Sequence, residues 1–153
     1  MDYVFILPLG IGIVAGLRSL TTPAVVAWAA HLGWVNLHSS SLAFMGSTMA
    51  VALFSFPAIG ELIADKLPMI GKRTAPAPLM ARIATGGLCG ACLCAAAGKS
   101  LVAGALLGGI GGVAGAFVGY DIRRHLDLHI KDVVVAVCED VVALGLALFL
   151  VSR

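Results

Sequence analysis

"LVAGALLGGIGGVAGAFVGY", residues 101–120, runs without a single charged side chain. A helix needs about 20 apolar residues to cross the hydrocarbon of a bilayer, and this stretch has that length. Its glycines are spaced as neighbours on a helix face. Gly104, Gly108 and Gly112 form one row, and Gly111, Gly115 and Gly119 form another. Small residues four apart let helix backbones approach closely in lipid. The segment therefore reads as a membrane helix with smooth faces, packed on other helices within the chain or between copies of it. A narrow path lined by glycine backbone is the alternative use of such faces. Gly12/Gly16 and Gly86/Gly90 repeat the spacing.

The composition of the whole chain agrees. Of its 153 residues, 60% are hydrophobic and 12% charged, and the mean hydropathy is +1.04. Soluble domains carry about 25% charged residues. A soluble fold of this size has no core large enough for so much apolar surface, so the expected class is an all-α integral membrane protein in one transmembrane domain. The start, "MDYVFILPLG", lacks a basic region and a small-residue cleavage site, and reads as a retained membrane segment rather than a signal peptide. Cys89, Cys92, Cys94 and Cys138 lie in apolar surroundings with no histidine near them in sequence. They read as small packing residues rather than as a metal or redox site.

Outward from 101–120, six apolar segments can be drawn: Tyr3–Leu17, Ala24–Leu37, Leu42–Ala64, Leu79–Ala97, Leu101–Tyr120 and Val133–Val151. The last four reach spanning length. The first two are short, and "RSLTTP" (18–23) between them reads as a tight turn or as a break inside one longer element. Thr21 or Thr22 ahead of Pro23 has the pattern of an N-cap followed by proline in the first helical position. "APAP" (75–78) reads as a stiff extended connector. Lys66, Lys72 and Arg73 fall in one loop, and Arg123, Arg124 and Lys131 in another. With six spans, both basic loops (65–78 and 121–132) lie on one side, which the positive-inside rule makes cytoplasmic. Three spans plus three suggest two inverted halves, 1–68 and 79–153. "AGLRSL" (15–20) resembles "AGKSL" (97–101), and Glu61 and Glu139 follow at comparable distances.

The sixth segment poses the functional question, because Glu139 and Asp140 stand about 10 Å inside it at 1.5 Å per residue. Arg18, Glu61, Asp65 and Arg82 belong to the same half of the membrane, and Pro57 one turn before Glu61 can kink the third segment. An acid at the centre of a membrane helix costs about 2.5–3.5 kcal/mol on the insertion scale, so these groups need partners or water. They read either as structural ion pairs, Arg18 or Arg82 with Glu139 for example, or as a site for a cation, proton or polar head group. Asp121, His125 and His129 share a helical spacing, yet their basic, polar surroundings read as a solvated interfacial turn rather than a metal site. No phosphate-cradling loop, zinc-protease motif or nucleophile elbow is present, and nothing in the charge pattern points to nucleic acid.

At "GLRSLTTP" and "ELIADKLP" the chain resembles a family of small bacterial membrane proteins known as a domain of unknown function. The matching elements are Gly16–Leu17–Arg18 and Glu61, Asp65, Lys66 and Pro68. Where that family carries an acidic segment after the proline, this chain has "MIGKRTAPAP". The resemblance implies a polytopic protein of the bacterial cytoplasmic membrane and supplies no established reaction. The reading that joins these observations is a small transporter or channel-like protein for an ion or small polar solute. It would be assembled as a homo-oligomer, with Arg18, Glu61, Asp65, Arg82, Glu139 and Asp140 as the ion- or substrate-binding set. One alternative is an enzyme acting on a lipid phosphate at the cytoplasmic leaflet. In it Glu61, Asp65, Glu139 and Asp140 hold a divalent cation such as Mg²⁺, and Arg18, Arg82, Arg123 and Arg124 hold the phosphate. Another is a structural scaffold without a site. No motif demands a cofactor. In the transport reading, Glu139 rather than Asp140 faces the interior, together with Glu61.

Overall fold

A computed structural model describes residues 3–64, 75–126 and 132–153, residue 132 by its backbone alone. Asp65, Lys66, Pro68, Lys72, Arg73, His129 and Lys131 lie outside the described residues. The described chain forms six α-helices: α1 (Tyr3–Leu17), α2 (Thr21–His31), α3 (Thr48–Ala64), α4 (Pro76–Ala96), α5 (Leu101–Leu126) and α6 (Asp132–Val151). Short 3-10 turn Ala43–Gly46 precedes α3. This is the all-α architecture expected. Three of the helices, α4, α5 and α6, are long and apolar enough to cross a membrane, whereas α1 and α3 are shorter apolar helices.

Of the boundaries that differ from the sequence expectation, four have a plain local reason. The second element stops at His31 rather than Leu37. Gly33 takes a left-handed φ of 80°, the Gly33 N–H donates to the Ala30 carbonyl, and the Trp34 N–H donates to the Ala29 carbonyl. That pair of bonds is a Schellman motif, which closes a helix. The third helix starts at Thr48 rather than Leu42, because Ser47 is extended and its hydroxyl accepts from the Ala50 N–H at 3.1 Å. "APAP" is not a connector: Pro76 opens α4 in the first helical turn, where its missing N–H costs nothing. Finally, α5 continues through "DIRRHL" to Leu126, so Arg123, Arg124 and His125 form its last turn. Cations there suit the negative end of the helix dipole.

The glycine rows of α5 fit it between α1 and α4. A Cβ on Gly108 would lie 2.1 Å from the Gly86 carbonyl oxygen of α4, and one on Gly12 of α1 would lie 2.2 Å from the Gly108 carbonyl oxygen. A Cβ on Gly115 would lie 2.1 Å from the carbonyl oxygen of Ile13. Three backbones thus meet at a distance that no side chain permits. The pairing order also fixes direction. Gly12 meets Gly108 and Gly16 meets Gly112, so α1 and α5 are parallel, whereas Gly90 meets Gly104 and Arg82 meets Gly112, so α4 is antiparallel. α6 runs antiparallel to α1, with Leu150 on Gly10 and Asp140 on Arg18. α3 runs antiparallel to α2, with Ser55 accepting from Trp28 and Glu61 at Thr21. The C-termini of α1, α3 and α5 and the N-termini of α2, α4 and α6 therefore gather at one end, the charged end.

Candidate functional site at the helix break

The site grows from the interruption between α1 and α2. α1 ends at Leu17 and α2 begins at Thr21, so the Gly16 and Leu17 carbonyls and the Ser19, Leu20 and Thr21 N–H groups take partners from outside the helices. Such groups in an apolar setting must be satisfied from elsewhere. Arg82 of α4, nearly fully buried, donates to the carbonyl of Gly16 and to that of Leu17 at 3.4 Å. Glu61 of α3 receives the other side of the break. One carboxylate oxygen accepts from the Ser19 N–H at 3.0 Å and the Ser19 hydroxyl at 2.8 Å. The other accepts from the Leu20 N–H at 2.9 Å and the Thr21 N–H at 3.3 Å. A cation thus sits on the carbonyl end of α1 and an anion on the amide end of α2, the polarity that the helix dipoles favour. Thr21 and Thr22 do not cap α2 as the sequence pattern predicts. Its N-cap residue, Leu20, makes no side-chain cap, and Glu61, distant in sequence, performs the function. The Thr22 hydroxyl instead donates to the Arg18 carbonyl at 3.0 Å.

Arg18 is fully buried and forms an ion pair with Asp140 of α6. The expected pairing of Glu139 with Glu61 is replaced by a different arrangement: Asp140 joins Arg18 beside the Glu61-capped break. Glu139 stands on the neighbouring face of α6, its Oε1 3.7 Å from where a Cβ of Gly119 would be. A legible signal for this choice was missed. Ala136, Asp140, Ala143 and Ala147 recur at helical spacing, and all three alanines are fully buried. Small residues mark the packing face of α6 as they do that of α5.

The structure therefore gathers Arg18, Glu61, Arg82 and Asp140 at the break, with Glu139 one face away. Asp65 lies outside the described residues. With the Glu61 carboxylate accepting four donors and Asp140 turned to Arg18, no three acids, histidines or cysteines converge among the described residues in a way that could hold a metal ion. Arg123 and Arg124 stand at the C-terminus of α5, Arg123 against a cavity shared with Glu139 and Arg124 exposed. The Asp121 carbonyl, not its carboxylate, meets His125 Nδ1 at 2.8 Å, on the exposed surface. Sequence reading also passed over Ser19, whose signal was its place in a polar break between apolar segments.

Helices of spanning length, a core packed on glycine backbone, and buried arginines, Arg18 and Arg82, at a helix break define the class: an all-α membrane protein. Residues 5–152 match the family described as Domain of unknown function (DUF4126), and the chain belongs to it. No curated protein and no solved structure matches the chain significantly.

Proposed function

We propose that this chain is a small membrane transporter or channel-like protein for an ion or small polar solute, working through the charged groups at the α1–α2 break. The observation that carries the reading is the break itself. Two short helices whose facing ends are held by Arg82 and Glu61, with the buried Arg18–Asp140 pair alongside, present the charged helix termini that discontinuous helices present at transport sites. Ionisable groups inside a membrane domain mark ion or substrate paths by default. The buried Thr21 hydroxyl, with no hydrogen-bond partner among the described residues, adds a polar group that a passing solute or water would satisfy. A homo-oligomer, as this reading expects, would not use the glycine rows that α1, α4 and α5 share within one chain. It would use the stripe Met49, Leu53, Phe56 and Ile63, all strongly exposed along α3.

The test is flux in proteoliposomes. Proton, sodium and potassium gradients are imposed in turn on vesicles with and without the protein. The expected result is a protein-dependent flux that Glu139→Gln or Asp140→Asn reduces in variants that still insert and keep their particle size. Vesicles that stay as tight as protein-free ones to all three cations reject ion transport and leave the polar-solute, lipid-phosphate and scaffold readings.

A further inference from the structure

Where α5 and α6 approach the charged end they separate rather than interlock. Between them, against Leu17 at the tip of α1, lies a cavity of about 270 Å³ whose walls include Ile122, Arg123, Val134, Glu139 and Val142. The α5 residues recur at 119, 122, 123 and 126, and the α6 residues at 134, 135, 138, 139 and 142, so each helix gives one continuous face. Ile122, Val134 and Val142 in its walls are exposed, so the cavity opens on the apolar surface of the bundle, where the guest on offer is an apolar one. The volume is just below the range of about 300–1,000 Å³ that encloses a whole small ligand, which suits one chain of a larger amphiphile.

The charges say what heads that chain. Arg123 is half buried in the wall, and among the described residues it has no hydrogen-bond or ion-pair partner. It stands about 4.5 Å from the C-terminus of α5, whereas Glu139 stands about 10 Å inside α6. An anionic head at the membrane surface therefore meets the guanidinium before the acid. Arg124, exposed on the next position, adds a second positive charge to the same end of α5. We infer that this cavity binds one acyl chain of an anionic phospholipid, with its phosphate on Arg123. The guanidinium provides the forked donor geometry that phosphate prefers.

Native mass spectrometry of the purified full chain in detergent tests this, with phosphatidylglycerol and phosphatidylcholine added in competition. One phosphatidylglycerol per chain is expected, preferred about tenfold over phosphatidylcholine, the scale of one charge-assisted contact. Arg123→Gln removes the preference while either lipid still binds. Val142→Trp fills the cavity and removes both. Val134→Trp does the same from a second position in the wall, as exposed as Val142, and guards against a local fault of the first variant. Val102→Trp, exposed near the other end of α5, leaves binding unchanged. Equal binding of the two lipids by the unaltered chain overturns the inference. So does retention of the preference by Arg123→Gln, or of binding by both cavity-filling variants.

Discussion

Asp140 and Glu139 are adjacent in sequence and unequal in structure. Asp140 pairs with the fully buried Arg18, so Asp140→Asn takes one counter-charge away from a buried cation. Breaking a buried pair from one side costs about 3–5 kcal/mol. The expected outcome is a large drop in melting temperature in detergent, with a smaller drop for Glu139→Gln. An equal or reversed order would show that the Arg18–Asp140 pair does not hold α6 to the break. Glu61→Gln is the second test at this scale. The amide keeps one acceptor but turns an N–H₂ donor toward backbone N–H groups and loses the charge facing the N-terminus of α2. A loss of about 1–3 kcal/mol is expected, and Ser19→Ala, which removes one of the four donors, loses less. If Glu61→Gln melts as the unaltered chain does, the carboxylate is not the cap of α2.

The helices owe their arrangement to glycine more than to side-chain interlock. α5 carries eight buried positions, and Gly104, Gly108, Gly109, Gly111, Gly112, Gly115 and Gly119 account for all but Ala116. A Cβ at Gly108 meets backbone, which cannot rotate away. Gly108→Ala is therefore expected to destabilise the helix bundle strongly and Gly108→Leu to prevent its assembly, read as aggregation on solubilisation. Gly145→Ala is the control. It has open space around its Cβ and lies in a helix, where alanine is favoured by about 1 kcal/mol. Comparable behaviour of Gly108→Ala and Gly145→Ala would sink the close-packing account. The same reasoning reassigns the glycine rows. Their substitution is expected to unfold the chain, where a purely intersubunit face would change only particle size.

For the whole molecule, the alternating directions place Ser39 and Ser100 away from the end that holds Arg124. In a Cys138→Ser background, because Cys138 is the exposed cysteine, single cysteines at Ser39 and Ser100 are expected to label from one side of the membrane. A cysteine at Arg124 should label from the other, the cytoplasm by the positive-inside rule. Labelling of all three from one side would overturn the reading of six alternating passes. Association is tested in the same background. Phe56 is 77% exposed on the α3 stripe, and Phe56→Cys is expected to cross-link copies in native membranes under oxidation. A chain that stays monomeric there removes this face from any oligomer.

Composition and periodicity were sufficient for the class of the protein, because the cost of exposing backbone in lipid leaves an apolar chain of this kind little choice but helices. The uncharged run 101–120, the glycine rows and the break at "RSLTTP" were legible for the same reason, since each is a local pattern with one physical meaning. The ends of α2 and α3 were also written locally, in Gly33 and Ser47, as was the alanine stripe that turns Asp140 inward. What tertiary structure alone decided is which charge meets which. Glu61 is 42 residues from the Ser19 hydroxyl it accepts, and Arg18 is 122 residues from Asp140. Electrostatic partners within a membrane domain are chosen by the register in which helices pack. Here backbone contacts at Gly12, Gly86 and Gly108 set the register of α1, α4 and α5 and so bring Arg82 to the end of α1, while α6 meets α1 through Leu150 on Gly10; none of these contacts carries a charge or gives a sign in sequence of the pairs beside it.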